Sequence, residues 1–263
     1  MSLDTESQQQ VNSSSTNLVI LEGPLNGKVY LVGTAHFSLE SQQEVRDLIQ
    51  KVQPNRVVLE LCQSRRGILN LDEETIIRDA KDMNYSKLRK LIKETSIAHG
   101  LLQYLMVNLY AKVTEELGIG PGGEFRVANN EARKIDGCKV ILGDMPIKLT
   151  LNRGFNSLPW YRKLRLGWCL LTTDTNLTKE DIEELKKHDM LETLVKEFGD
   201  TFPEFKRVLI DERDMYLAHS LQKASQPIPN EFKDGGFSPA CVVGVVGLGH
   251  CKGIQFICKI LLN

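Results

Sequence analysis

Two apolar runs near opposite ends of the chain each lead into a Gly-x-x-His sequence. Residues 29–32 (VYLV) continue into Gly33-Thr34-Ala35-His36, and residues 241–246 continue into Gly247-Leu248-Gly249-His250. Short valine-rich runs predict buried strands, and glycine lets the backbone turn sharply where a strand ends. The fold must therefore bury two strands that are separated by most of the chain, and place a histidine after each.

The residues around the first run predict a strand–helix–strand unit. Asn26-Gly27 predicts a hairpin turn between two strands within residues 17–33. An amphipathic helix follows, with Ser41 and Glu44 as its predicted capping box, and residues 56–61 (RVVLEL) predict the next strand. A unit of this kind gives parallel strands joined by a right-handed crossover.

The remainder of the chain predicts helices and two further strands. Helical patterns cover residues 86–117, 124–135 and most of 146–224, and strand patterns cover residues 138–144 and 241–247. We therefore predict an α/β fold with a mainly parallel central sheet built from βαβ units, and a helical cap from about residues 146–224. The polar residues 1–16 predict a disordered tail, which leaves residues 17–263 as a single domain.

Composition and charge exclude several classes of protein. The net charge of −1 creates no general attraction for nucleic acid, so we expect no nucleic-acid partner. None of the six cysteines forms Cys-x-x-Cys, which favours reduced thiols over a disulfide framework. The chain shows neither a signal peptide nor a run of about 18 apolar residues. These features predict a cytoplasmic protein.

Polar side chains follow each of the predicted parallel strands. His36 and His250 follow the two runs described above, Glu60 follows residues 56–59, and Asp144 follows residues 139–143. Arg65 and Arg66 come shortly after Glu60. Because sites in open parallel sheets form beyond the carboxyl ends of the strands, we expect these groups to converge on one edge. For each residue alone, an ordinary loop role is the alternative.

Six motifs occur in an order that resembles the TraB family. They are VYLVGTAHFS, VVLELCQSRRGIL, GPGGEFRVANNEA, ILGDMPIKLTLNR, DERDMYLA and VVGVVGLGHCKGI, and the resemblance covers roughly residues 17–257. That family includes bacterial pheromone-shutdown proteins. It is related to the Tiki ectodomain proteases, the erythromycin esterases and the ChaN-like proteins. It implies an α/β core of the erythromycin esterase/ChaN-like type, with both Gly-x-x-His motifs and a strand-end glutamate in one cleft.

The resemblance also implies two alternative chemistries. In the Tiki branch the corresponding residues serve a metal-dependent peptidase, which here nominates His36, Glu60 and His250 as ligands of manganese, cobalt or zinc. Such a set leaves one position open for a water that the metal activates. The erythromycin-esterase branch implies hydrolysis with a histidine as general base and no obligatory metal.

Four residues are predicted to take part in catalysis: Glu60, Glu124, Arg65 and Arg213. Either carboxylate could take a proton from water, and Arg65, Arg153 and Arg213 could bind a carboxylate or phosphate through paired hydrogen bonds. The alternative for the arginines is an internal ion pair with Glu60, Asp144 or Glu212. The alternative for Glu124 is a favourable interaction with the positive end of a helix.

The sequence therefore predicts a metal-dependent hydrolase that acts on a peptide or a related carbonyl substrate. A metal-free esterase is one alternative, and a non-catalytic protein that sequesters a peptide or docks on an organelle membrane partner is another. Residues 160–168 (WYRKLRLGW) combine aromatic and basic side chains, so they lie either on an anionic membrane surface or in a helix that buries its aromatic rings. The sequence is also compatible with oligomerisation and with association with the outer surface of mitochondria.

Overall fold

The structure, a computed structural model, describes residues 17–35, 38–70, 75, 122–165, 202–233 and 235–262. Its first elements are β1 (Leu18–Gly23), a 3-10 turn (Pro24–Asn26), β2 (Gly27–Thr34), α1 (Leu39–Val52), β3 (Arg56–Leu59) and a 3-10 segment (Gln63–Asn70). The later elements are α2 (Gly123–Arg133), β4 (Lys139–Leu142), α3 (Ile147–Ser157), α4 (Pro203–Leu209), α5 (Asp211–Ala224), β5 (Ile228–Pro229), β6 (Phe237–Ser238), β7 (Cys241–Gly247) and α6 (Leu248–Leu261).

Within the described residues, five strands form one sheet in the order β1-β2-β7-β3-β4. β1 is antiparallel to β2, and every other neighbouring pair is parallel. The predicted α/β fold with a mainly parallel sheet is confirmed. Thr34 is paired with Gly247, and Leu59 is paired with both Val245 and Leu142. The carboxyl ends of the four parallel strands therefore lie along one edge.

Helices cover both faces of the sheet. On one face, α5 and α6 contribute Leu217, Leu221 and Ile254 to a core that includes Leu31 and Val242. On the other, α1 and α2 pack on residues such as Val57 and Val245. Because both faces are covered, the strands read as continuous apolar runs instead of alternating patterns.

The start of α1 differs from the prediction. The helix begins at Leu39, and its N-terminal cap is Ser38, whose Oγ accepts a hydrogen bond from the backbone N–H of Ser41. The predicted capping box of Ser41 and Glu44 is therefore wrong, because Ser41 already lies in the first turn. Its hydroxyl instead accepts the backbone N–H of Ala35 at 3.1 Å.

The predicted hairpin and several helices are observed where the structure describes the chain. The hairpin between β1 and β2 is present, but its turn is Pro24–Asn26, with Leu25 and Asn26 at positive φ, and Gly27 already belongs to β2 and pairs with Gly23. Residues 124–135 and the described parts of 146–224 are largely helical. The tail at 1–16, the helix at 86–117 and residues 166–201 of the predicted cap lie outside the described residues. The division into tail and single domain therefore stays a prediction.

Residues 160–165 form a helical turn that exposes its large apolar side chains. Trp160, Tyr161 and Leu164 are all exposed, so these two aromatic rings are not buried in the way that the core interpretation of residues 160–168 requires. Trp168 lies outside the described residues. Among the helices that the structure describes, none combines the length and apolar character needed to cross a bilayer.

Candidate functional site

Five buried ionisable side chains meet at the carboxyl edge of the sheet. Glu60 directly follows β3, Asp144 follows β4 by two residues, and His250 lies in the first turn of α6, which continues from β7. Helix α5 adds Arg213 and Asp214. The exposed fraction is 7% for Arg213, 4% for each of the three carboxylates and zero for His250. We call these five residues the edge cluster.

Arg213 lies at the centre of the edge cluster. Its Nε and Nη2 donate to the two carboxylate oxygens of Asp144 at 3.0 and 3.1 Å, and Nη2 also donates to Oε1 of Glu60. Burial by itself lowers the pKa of this guanidinium, but the charges of Glu60 and Asp144 outweigh burial and raise the pKa above its ordinary value. Arg213 therefore stays positively charged within the protein.

His250 contacts the cluster through both ring nitrogens. Nδ1 lies 2.6 Å from Oδ1 of Asp214, and Nε2 lies 3.0 Å from Nη1 of Arg213 and 3.4 Å from Oε1 of Glu60. Because a guanidinium nitrogen can only donate, Nε2 must accept this hydrogen bond. The ring is therefore neutral, with its proton on Nδ1 and donated to Asp214. Burial raises the pKa of Asp214 above its ordinary value, although the hydrogen bond from His250 opposes this effect.

The backbone N–H of Gly247 and the side chain of Arg65 also contact members of the edge cluster. Oε2 of Glu60 accepts the backbone N–H of Gly247 at 2.7 Å, which ties the end of β3 to the end of β7. Arg65 donates from Nη2 to Oδ2 of Asp144 at 2.5 Å and to the backbone oxygen of Glu60 at 3.3 Å. Arg65 thereby connects the carboxyl end of β3 with the carboxyl end of β4.

The structure brings together most of the predicted site residues. Glu60, Arg65, Asp144, Arg213 and His250 all belong to one network of contacts, and the internal ion pair that was the alternative for Arg65 and Arg213 is present. The prediction that they contact a substrate is not tested by these contacts.

Three of the other predicted residues lie in different surroundings. Arg153 pairs with Glu212, through contacts of 2.6 and 3.1 Å, at an exposed position on α3. Arg66 lines a separate cavity. Glu124 is 1% exposed in the first turn of α2, the placement that its interaction with a helix N-terminus requires. His36 lies outside the described residues.

Asp214 is the member of the edge cluster that the sequence reasoning missed. It directly follows Arg213 in the motif DERDMYLA, and the pair of opposite charges in an otherwise half-apolar helix is the signal that could have identified it. Helix α6 packs closely on this residue, because a Cβ added to Gly253 would lie only 1.8 Å from Oδ2 of Asp214.

The described donors do not fit a metal ion in this arrangement. Within the described part of the chain, no group of three or more His, Cys, Asp or Glu side chains is placed to hold one. The physical reason is Arg213: its guanidinium contacts both Nε2 of His250 and Oε1 of Glu60, and its charge repels a divalent cation. Because His36 is not described, the ligand set His36, Glu60 and His250 stays a prediction.

Comparison with known proteins shows the family. The model of the TraB/PrgY/gumN family matches residues 18–262. The chain is 41% identical over 244 residues to a TraB domain-containing protein of Bos taurus and 40% identical to that of Homo sapiens, which covers 91% of this chain and 64% of each relative. It is 31% identical to an uncharacterized protein of Methanocaldococcus jannaschii over 89% of this chain and 54% of that protein.

The matched part thus spans 64% of the length of the mammalian relatives. The order of motifs, the parallel sheet and the match along almost the whole sequence agree, and the chain belongs to the TraB/PrgY/gumN family.

Proposed function

We propose that the chain is a hydrolase of a peptide or related carbonyl substrate, and that the edge cluster is its reaction centre. The observation that supports this proposal is the burial of three carboxylates, a guanidinium and an imidazole at one edge of a parallel sheet. Removing such groups from water is costly, and a sheet of this kind needs none of them to form. Buried, mutually perturbed ionisable groups at the carboxyl ends of parallel strands are typical of functional sites.

In this proposal His250 is the general base. Asp214 holds the ring with its proton on Nδ1, so the lone pair of Nε2 becomes available once the hydrogen bond from Arg213 opens. Asp214 also stabilises the positive charge that forms when Nε2 takes a proton from water. The hydroxide attacks the substrate carbonyl, and the same proton then passes from Nε2 to the leaving group. The orientation of the ring by Asp214 follows the logic of histidine–carboxylate pairs in general.

Arg213 stabilises the negative charge in this mechanism. Its Nη1 donates to Nε2 of His250 in the structure, and once substrate opens the cluster this N–H would donate to the tetrahedral oxyanion instead. Glu60 and Asp144 hold the guanidinium in position. Because His250 is fully buried, substrate binding must open the cluster before water reaches Nε2.

The experiment measures hydrolysis of activated esters and peptide amides by the purified chain, with and without a chelator. We expect activity that persists in chelator and falls by about 10²- to 10⁴-fold in His250→Ala and Asp214→Asn. His219→Ala is the matched control, because His219 is exposed on the same helix as Asp214 and should retain full activity. Circular dichroism and melting curves establish that each variant is folded.

Two results would replace this proposal with one of its alternatives. Activity that is lost in chelator and restored by manganese, cobalt or zinc would support the metal-dependent version, in which Arg213 must withdraw from His250. A folded wild-type chain that hydrolyses none of the substrates would favour the non-catalytic version, a protein that sequesters a peptide or docks on an organelle membrane partner.

A further inference from the structure

A cavity of about 360 Å³ lies outside the edge cluster, between the 3-10 segment, α2 and the outer strand β4. Its polar lining consists of Gln63, Arg66, Asn70, Asn129 and Arg133, and aliphatic side chains of β4 form part of its wall. This volume lies within the range of small-molecule sites, which run from roughly 300 to 1,000 Å³. The cavity is therefore large enough for a small organic molecule.

Asn129 is the unusual member of this lining. The residue is 4% exposed, and its Nδ2 is buried and donates to no atom in the described part of the chain. A buried donor without an acceptor is destabilising, and such donors are rare in folded proteins. Asn129 lies in the wall of the cavity, so an oxygen atom of a ligand that reaches Nδ2 would supply the acceptor that the amide lacks.

The charge of the lining selects the kind of ligand. Arg66 and Arg133 bring two positive charges, and no acidic side chain is among the described residues that line the cavity. Neither arginine forms an ion pair within the described ranges, in contrast to Arg65, which pairs with Asp144. Guanidinium groups bind phosphate and carboxylate through paired, charge-assisted hydrogen bonds.

We propose that this cavity binds a small organic anion, whose phosphate or carboxylate group is held by Arg66 and Arg133 and accepts a hydrogen bond from Nδ2 of Asn129. Gln63 and Asn70 provide further amide donors, and the aliphatic wall accommodates the carbon skeleton of the ligand. The site is separate from the edge cluster, although Arg66 directly follows Arg65 in the sequence. Anion binding can therefore be tested independently of hydrolysis.

The experiment is calorimetric titration of the full chain in a buffer without phosphate or carboxylate, with inorganic phosphate and succinate as separate probes. We expect saturable binding of at least one probe, weakened about tenfold by Arg66→Gln or Arg133→Gln. Lys148→Gln removes one positive charge from an exposed position on α3 and is the control. The probe that binds more tightly identifies the phosphate or the carboxylate as the preferred group.

Asn129→Leu supplies a readout that a purely structural role would not give. Without ligand, this variant should melt at or above the wild-type temperature, because it removes an unsatisfied buried donor, yet it should bind the preferred probe more weakly. The proposal is overturned if neither probe binds at millimolar concentration, or if Lys148→Gln weakens binding as much as the two arginine variants. It is also overturned if Asn129→Leu leaves the affinity unchanged.

Discussion

Each charged side chain of the edge cluster is stabilised in its buried position by a hydrogen bond or ion pair with a neighbour. Asp144 accepts hydrogen bonds from Arg65 and Arg213, and it also accepts the backbone N–H of Met145 at 2.7 Å. Asp214 has a different kind of partner, because its main contact is the neutral ring of His250 and not a guanidinium. Small displacements of Asp214 therefore change the orientation of the base directly, whereas Asp144 is held from several sides.

The close packing of α6 on Asp214 leads to a prediction for Gly253. In Gly253→Ala the new Cβ would lie 1.8 Å from Oδ2 of Asp214, so either the carboxylate or the helix must move. We expect a loss of about 1–3 kcal/mol in the free energy of unfolding, although alanine is the better helix former by about 1 kcal/mol. Denaturation in urea measures the change, and the hydrolysis assay measures any accompanying loss of activity.

Gly67→Ala is the control for this substitution, because nothing lies within 4 Å of a Cβ added there. If Gly253→Ala proved as stable as Gly67→Ala, the tight contact between α6 and Asp214 would not exist in solution.

Between elements, one buried carboxylate connects α1 with α2. Glu131 of α2 accepts hydrogen bonds from Nζ of Lys134 at 2.7 Å and from Nε2 of Gln50 on α1 at 2.9 Å, and Nε of Arg46 on α1 lies 3.7 Å away. The hydrogen bonds from Lys134 and Gln50 outweigh burial and hold the pKa of Glu131 below its ordinary value of 4.5. The ionised form therefore contributes to the packing of these two helices.

Glu131→Gln should remove a pH-dependent part of the stability. Because the pKa of the folded state is lowered, the contribution of Glu131 is present above about pH 4.5 and is lost as the pH falls through the lower folded value. At neutral pH we expect the variant to be less stable by about 1–2 kcal/mol. The difference in the free energy of unfolding between the variant and the wild type should narrow as the pH falls below about 4.5. Urea denaturation curves recorded at a series of pH values measure this change.

Glu22→Gln, at an exposed position on β1, is the control and should show no comparable trend. A stability difference between Glu131→Gln and the wild type that stays constant with pH would mean that packing of the side chain matters, and not its charge.

At the scale of the whole molecule, the sheet edge was the part of the site that the sequence could predict. Parallel strands place their carboxyl ends on the same side, so Glu60, Asp144 and His250 could be assigned to one edge from chain order alone. The strands themselves are short apolar runs that local composition identifies. Neither inference requires knowledge of how the helices pack.

The remaining features depend on tertiary packing and could not be read from local patterns. Asp214 joins the cluster only because the first turn of α5 lies at the strand ends, and the neutral form of His250 follows from the position of Arg213. The cap of α1 also depends on context, since both Ser38 and Ser41 are good capping residues, and the hydrogen bond from Ala35 selects the second for another role.

The order of the strands predicts a gradient of backbone protection across the sheet. β7 lies between β2 and β3, and Val242–Val246 are buried, whereas β4 is an outer strand of the described sheet and its residues 140–142 are only half buried. Exchange of a strand amide requires its hydrogen bond to open, which is harder in the centre of a sheet than at its edge. Amides of residues 242–246 should therefore exchange most slowly, and those of 139–142 about 10- to 100-fold faster. Hydrogen–deuterium exchange followed by mass spectrometry or NMR measures both segments in one sample, and equal protection would show that the outer position of β4 is wrong.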